Sequence, residues 1–159
     1  MTKNYQVSKF ILKGKVKIEL FDADGNLKDF RLFKNTFMAT GDAHVADQLV
    51  ATPAEAAMGY MAIGTSTVTK TVGDIALNSE LDRNALSANY PDALTGAADN
   101  DVVYKATWAA ADGTGALTEA GIFNSSIGGS MLAGSTFSVI NKGAADTLTI
   151  TWTVTCGAS

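Results

Sequence analysis

The run TLTITWTVT at residues 147–155 sets Leu148, Ile150, Trp152 and Val154 on one side and Thr149, Thr151, Thr153 and Thr155 on the other. A strict two-residue period fits a strand with one buried face and fits no helix. Its β-branched and aromatic residues share that preference. Three earlier stretches behave similarly: VVYKATW at 102–108, ALTEAGIFN at 116–124 and MLAGSTFSVI at 131–140. They are separated by the turn signals ADGTG (111–115), SSIGG (125–129) and NKGAAD (141–146). Turns recurring about every ten residues between such runs predict an antiparallel sandwich. Trp108, Phe123, Phe137 and Trp152 fall on these strands, where core packing is their default role.

The first third predicts a long hairpin. KVKIELF at 15–21 alternates Lys15, Lys17 and Glu19 with Val16, Ile18 and Leu20. DADGN at 22–26 turns the chain into a second strand through Leu27, Phe30, Leu32 and Phe33. TGDAHVADQLV at 40–50 suits a short helix capped near Thr40 or Asp42. Thr52, Pro53, Ala54 and Glu55 fit a capping box opening another turn of helix. YMAIG at 60–64 reads as a strand, 64–79 and 89–101 as long polar loops, and ELDRNALSA at 80–88 as either a short helix or an irregular strand. The expected fold is therefore mainly β, a jelly-roll-like antiparallel β-sandwich with a long N-terminal hairpin and one or two short helices. Residues 1–38 would form an arm and hairpin, and 39–159 the body, with a short helix near 42–51.

No residue pattern supplies enzyme or cofactor chemistry. Asp22, Asp24 and Asn26 open like a calcium loop, but Leu27 replaces the required Gly and Phe33 the closing carboxylate, so the segment reads as a turn. His44 is the single histidine and Cys156 the single cysteine; neither has the companions of a catalytic triad or a zinc site. ADGTG and SSIGG lack the following helix that a phosphate loop needs. Glu119, inside the apolar LTEAGIF, must find a partner if buried, and Arg83 is the candidate for a structural ion pair. Catalytic, cofactor-binding and metal residues are all expected to be absent. No apolar run reaches the ~20 residues that span a bilayer, and the N-terminus does not read as a signal peptide.

The net charge of −4 is unevenly distributed. Residues 1–35 carry eight basic and four acidic side chains, a balance of +4, and the remainder carries −8. Lys9, Lys13, Lys15 and Lys17 are candidates for docking on an acidic surface, including the body of a neighbouring copy. A solvated strand face is the alternative. Met58, Tyr60, Met61 and Met131 are open to two roles, core or intersubunit surface. An acidic body without aromatic and basic platforms argues against nucleic acid, and no membrane or small-molecule partner is implied.

Three segments together resemble bacteriophage structural proteins: MGYMAIGTST (58–67), GDIALNSELDRNAL (73–86) and TEAGIFNSSIGGSML (118–132). The matching residues are Ile63, Gly64 and Thr65, then Leu77, Glu80 and Arg83, then Glu119 to Phe123 of EAGIF. The resemblance implies a non-enzymatic virion protein, on the capsid surface or tail, made in the bacterial host cytoplasm. It would self-associate and contact a major capsid protein, as a decoration (cement) protein, or a tail or collar protein. A tail-fibre or collar adaptor and a host-receptor-binding protein are the alternatives, with a polysaccharide hydrolase using Glu119 behind them.

Overall fold

The computed structural model describes residues 10–93 and 100–158. Ten described strands form two antiparallel sheets. Sheet A contains β1 (Phe10–Phe21), β2 (Leu27–Lys34), β6 (Asp92–Ala93), β7 (Asp101–Trp108) and β10 (Thr147–Ala158), in the order β2-β1-β10-β7-β6. Sheet B contains β3 (Thr36–Phe37), β4 (Tyr60–Gly64), β5 (Glu80–Ala85), β8 (Gly115–Phe123) and β9 (Met131–Lys142), in the order β3-β9-β8-β4-β5. The helix α1 (Ala39–Gln48) links β3 to β4. The protein is an antiparallel β-sandwich. It shares crossings between sheets with a jelly roll and differs in keeping β1 and β2, and β8 and β9, as hairpins within one sheet.

Alternation assigns the inner faces. Val16, Ile18 and Leu20 from β1, Tyr104, Ala106 and Trp108 from β7, and Leu148, Ile150, Trp152 and Val154 from β10 meet Met61, Ile63, Leu117, Ala120, Ile122, Leu132 and Ile140 from sheet B in one core. Met58 is also in this core, and Met131 is buried with Phe123 in a smaller cluster. The three methionines are thus interior, and only Tyr60 of that group is half-buried. Phe137 is half-buried and packs against Phe33, ring centroids 5.4 Å apart. Gly14 is required by a close approach: the Asn35 side chain occupies the place of its missing Cβ and accepts the Trp152 indole N–H at 3.1 Å.

β1 pairs with β10 from Phe10 opposite Ala158 to Phe21 opposite Thr147. The hairpin is accordingly built into sheet A, beside β10. Its turn follows the DADGN reading, with Asp22 Oδ1 accepting the N–H groups of Asp24 (3.0 Å) and Asn26 (2.8 Å) and Gly25 at φ +82°. ELDRNA resolves as the strand β5.

The helices differ from expectation. Neither Thr40 nor Asp42 caps α1; its N-cap is Met38, without a side-chain cap. The Thr40 hydroxyl donates to the Met131 carbonyl (2.9 Å), and the Val72 carbonyl accepts the first helical N–H, from Ala39 (2.8 Å). Tertiary contacts replace the local cap. The second helix does not form, and Asp47 in place of Thr52 accepts the Ala54 and Glu55 N–H groups (3.0 and 2.9 Å).

The turn between β9 and β10 carries a buried polar knot. Lys142 is 2% exposed, and its ammonium donates to the carbonyls of Ala109 (2.9 Å) and Asp146 (2.8 Å). Burial pushes the Lys142 pKa down. Asp146 accepts from Lys28 (2.6 Å) and the Gly143 N–H (2.8 Å), which hold its carboxyl below the usual range. A lowered folded-state pKa gives stability above the unfolded value, near pH 4, that is lost as pH falls through the folded value. Acid unfolding of Asp146→Asn should therefore show a shallower loss of stability below about pH 4 than the wild type, measured by urea midpoints at stepped pH.

Candidate functional site

The two outer faces of the sandwich are built differently. On sheet A, residue pairing brings the expected docking lysines together. Lys13, Lys15 and Lys17 stand opposite Thr155, Thr153 and Thr151 on β10. On the other side, Lys34 lies opposite Lys15, Leu32 opposite Lys17 and Phe30 opposite Glu19. Beyond β10, Lys105 lies opposite Thr151. Phe30 and Leu32 are about half exposed, 46% and 50%. With Lys15, Lys17, Thr151 and Thr153 they line a shallow depression of about 230 Å³. Among the described residues the only acidic contact to these three β1 lysines is Glu19, 2.8 Å from Lys17. Lys9 lies outside the described residues.

Lys34, Lys105, Phe30 and Leu32 were not singled out for this face. Hairpin parity was a signal for Lys34, Leu32 and Phe30. Lys105 had none, because the adjacency of β7 and β10 is not written in local sequence.

On sheet B, the outer face is covered by residues 65–79. Small residues make room: Ala62 and Gly64 on β4, Gly121 on β8, Gly134 on β9. Leu77 packs there with Met38, Ala62, Phe123 and Met131. At the centre is Glu119, with no exposure. Its Oε2 lies 2.5 Å from Lys70 Nζ, whose side chain is 1% exposed. Its oxygens also accept the N–H groups of Ser79 (2.7 Å), Asn78 (3.0 Å) and Ser66 (3.4 Å). A Cβ at Gly64 would lie 2.4 Å from the Ser79 carbonyl and 2.6 Å from Glu119 Oε1.

The expected pairing of Arg83 with Glu119 is corrected. Arg83 makes a bidentate pair with Glu80 (2.9 and 2.6 Å) and donates to the carbonyls of Ser125 and Gly128 (both 2.8 Å). Its guanidinium sits 3.7 Å from the Phe123 ring centroid. The covering segment places Lys70 against Glu119, and Arg83 serves the turn after β8. Lys70 escaped notice because it is an isolated lysine in a polar stretch.

The remaining candidates have structural partners. His44 is buried, 3.1 Å from Glu55, which also accepts from Asn124 at 3.0 Å. Burial, then the nearby Asp101 carboxylate, push the Cys156 thiol pKa up, away from nucleophile chemistry. Among the described residues no three His, Cys, Asp or Glu side chains gather as a metal site. No protein-family model, curated protein or solved structure matches the chain.

Glu119→Ala strands Lys70 and three backbone donors, and should lower the unfolding free energy by about 3–5 kcal/mol. Arg83→Ala should lower it by about 1–3 kcal/mol, since water reaches the exposed Glu80 it leaves behind. Urea denaturation of both variants checks the order. Gly64→Ala should lose about 1–3 kcal/mol by forcing the covering segment off the strand.

Proposed function

We propose that this protein is a non-enzymatic structural component of a bacteriophage particle, and that it decorates the capsid as a cement protein. The observation that carries the docking half of this reading is the outer face of sheet A, which no segment among the described residues covers. Lys13, Lys15, Lys17, Lys34 and Lys105 lie on one side of a single sheet, interleaved with threonines and two exposed apolar side chains. Rows of lysine on a rigid sheet suit an extended acidic surface, and Phe30 and Leu32 supply apolar contact where water is excluded. Each charged contact is worth little alone, so firm attachment comes from many copies reinforcing one another on a repeating lattice. The acidic remainder of the chain offers a complementary surface to a neighbouring copy, which favours self-association on that lattice.

The virion assignment rests on the resemblance of the three segments at 58–67, 73–86 and 118–132. In this fold they come together: Leu77 packs with Phe123, Arg83 lies over Phe123 and bonds Glu80, and Glu119 touches Gly64's strand edge.

The test mixes purified protein with undecorated shells of the parent phage and images them by electron microscopy. Ordered added density, with the Lys13, Lys15 and Lys17 face toward the shell, is the expected result. Reversing those three lysines to Glu should weaken attachment by more than about tenfold, and added salt should weaken the wild type. Protein that ignores shells but binds purified tails or host cells would replace the cement reading with the adaptor or receptor reading.

A further inference from the structure

Lys70, Asn78 and Glu119 place an amine, a carboxamide and a carboxylate in mutual contact. Lys70 Nζ lies 2.5 Å from Glu119 Oε2 and 2.5 Å from Asn78 Oδ1. The Asn78 backbone N–H donates to the same Glu119 oxygen at 3.0 Å. An ion pair alone explains the carboxylate, but not why the ammonium is also pressed against a side-chain amide. These are the two reactants and the proton carrier for amide exchange. We propose that Lys70 and Asn78 become joined by an isopeptide bond formed within the chain, with Glu119 carrying the protons.

The chemistry closes without any added reagent. Glu119 takes a proton from the Lys70 ammonium and leaves an amine with a free lone pair. The lone pair attacks Cγ of Asn78, forming the new N–C bond. Glu119 then gives its proton to Nδ2 and takes the second proton from the attacking nitrogen as the Cγ–Nδ2 bond breaks. Ammonia departs with that proton as ammonium, and the carboxylate is restored. One N–C bond forms and one breaks, and nothing is oxidised or reduced.

The surroundings favour this step over simple solvation. Lys70 and Glu119 side chains are 1% and 0% exposed, so the proton moves between two buried groups and turns two charges into two neutral species. The N–H groups of Ser66, Asn78 and Ser79 fix the carboxylate in position beforehand. Amine and amide are held together by the fold, which converts a slow encounter into an intramolecular reaction. Asn78 is itself exposed, giving the released ammonia a route to water. The product would tie residue 70 to residue 78 and seal the segment covering sheet B, constraining the unfolded chain as a disulfide does. This inference stands on the Glu119 site and is independent of the capsid reading.

The experiment is intact-mass spectrometry of the full chain, held at neutral pH until its mass is constant and then denatured. The expected mass is one ammonia below that of the sequence, and proteolysis should yield a branched peptide joining Lys70 to Asn78. Lys70→Arg and Asn78→Ala should each restore the full mass. A wild-type chain of full mass overturns the proposal. So does an ammonia deficit that persists in Lys70→Arg, which would mark cyclisation of Asn78 onto its own backbone. Glu119→Gln, with folding verified by circular dichroism, should leave the two residues unjoined; joining at an undiminished rate would overturn the role of Glu119.

Discussion

A carboxylate with no exposure to water has to be surrounded by donors, and Glu119 imposes that requirement on half of the sandwich. Its donors are Lys70 and three backbone N–H groups, all from the segment that follows β4. That segment has few apolar residues and would not settle on a sheet by hydrophobic burial alone. Once held, it brings Leu77 over Phe123 and the Val72 carbonyl to the start of α1. Sheet, covering segment and helix are therefore coupled through one acidic side chain.

The same two-residue alternation produces opposite outcomes on the two outer faces. On β4, β8 and β9 the outward positions include Ala62, Gly64, Gly121 and Gly134, which are small enough for another layer of chain to lie against the strands. On β1 and β10 they are lysines and threonines, whose polar ends remain hydrated and keep a second layer away. One face is closed by the protein itself. The other has flat, charged, partly apolar surface to offer. Arg83 shows how finely the closed side is divided: three residues from Glu80 along one strand, it serves the β8–β9 turn and leaves Glu119 to a lysine from the cover.

Most strands were legible because alternation and turn chemistry are local. The run at 147–155 and the DADGN turn needed nothing beyond neighbouring residues. The helix ends were not, because the Thr40 hydroxyl goes to a β9 carbonyl and Asp47, not Thr52, takes the N–H groups after Pro53. Glu119 was recognisable as a residue needing a partner, since a carboxylate in an apolar strand stands out. Its partner was not, because which distant cation arrives is decided by the path of residues 65–79. Likewise the lysines of β1 announced a wet face, while the contribution of Lys105 depended on β7 lying beside β10.

The position of β10 between β1 and β7 has a kinetic meaning. A ribosome delivers residues 147–158 after the other nine described strands, yet they form the central rib of sheet A. Until then the β1–β2 hairpin has no neighbour on its other edge, and Val16, Ile18 and Leu20 lack Leu148, Ile150, Trp152 and Val154 beside them in the core. Sheet B, whose strands all precede that point, is free to assemble earlier. Closure of the sandwich is thus a late, long-range event, of the sort that slows folding and lengthens the time during which a nascent chain exposes adhesive strand edges.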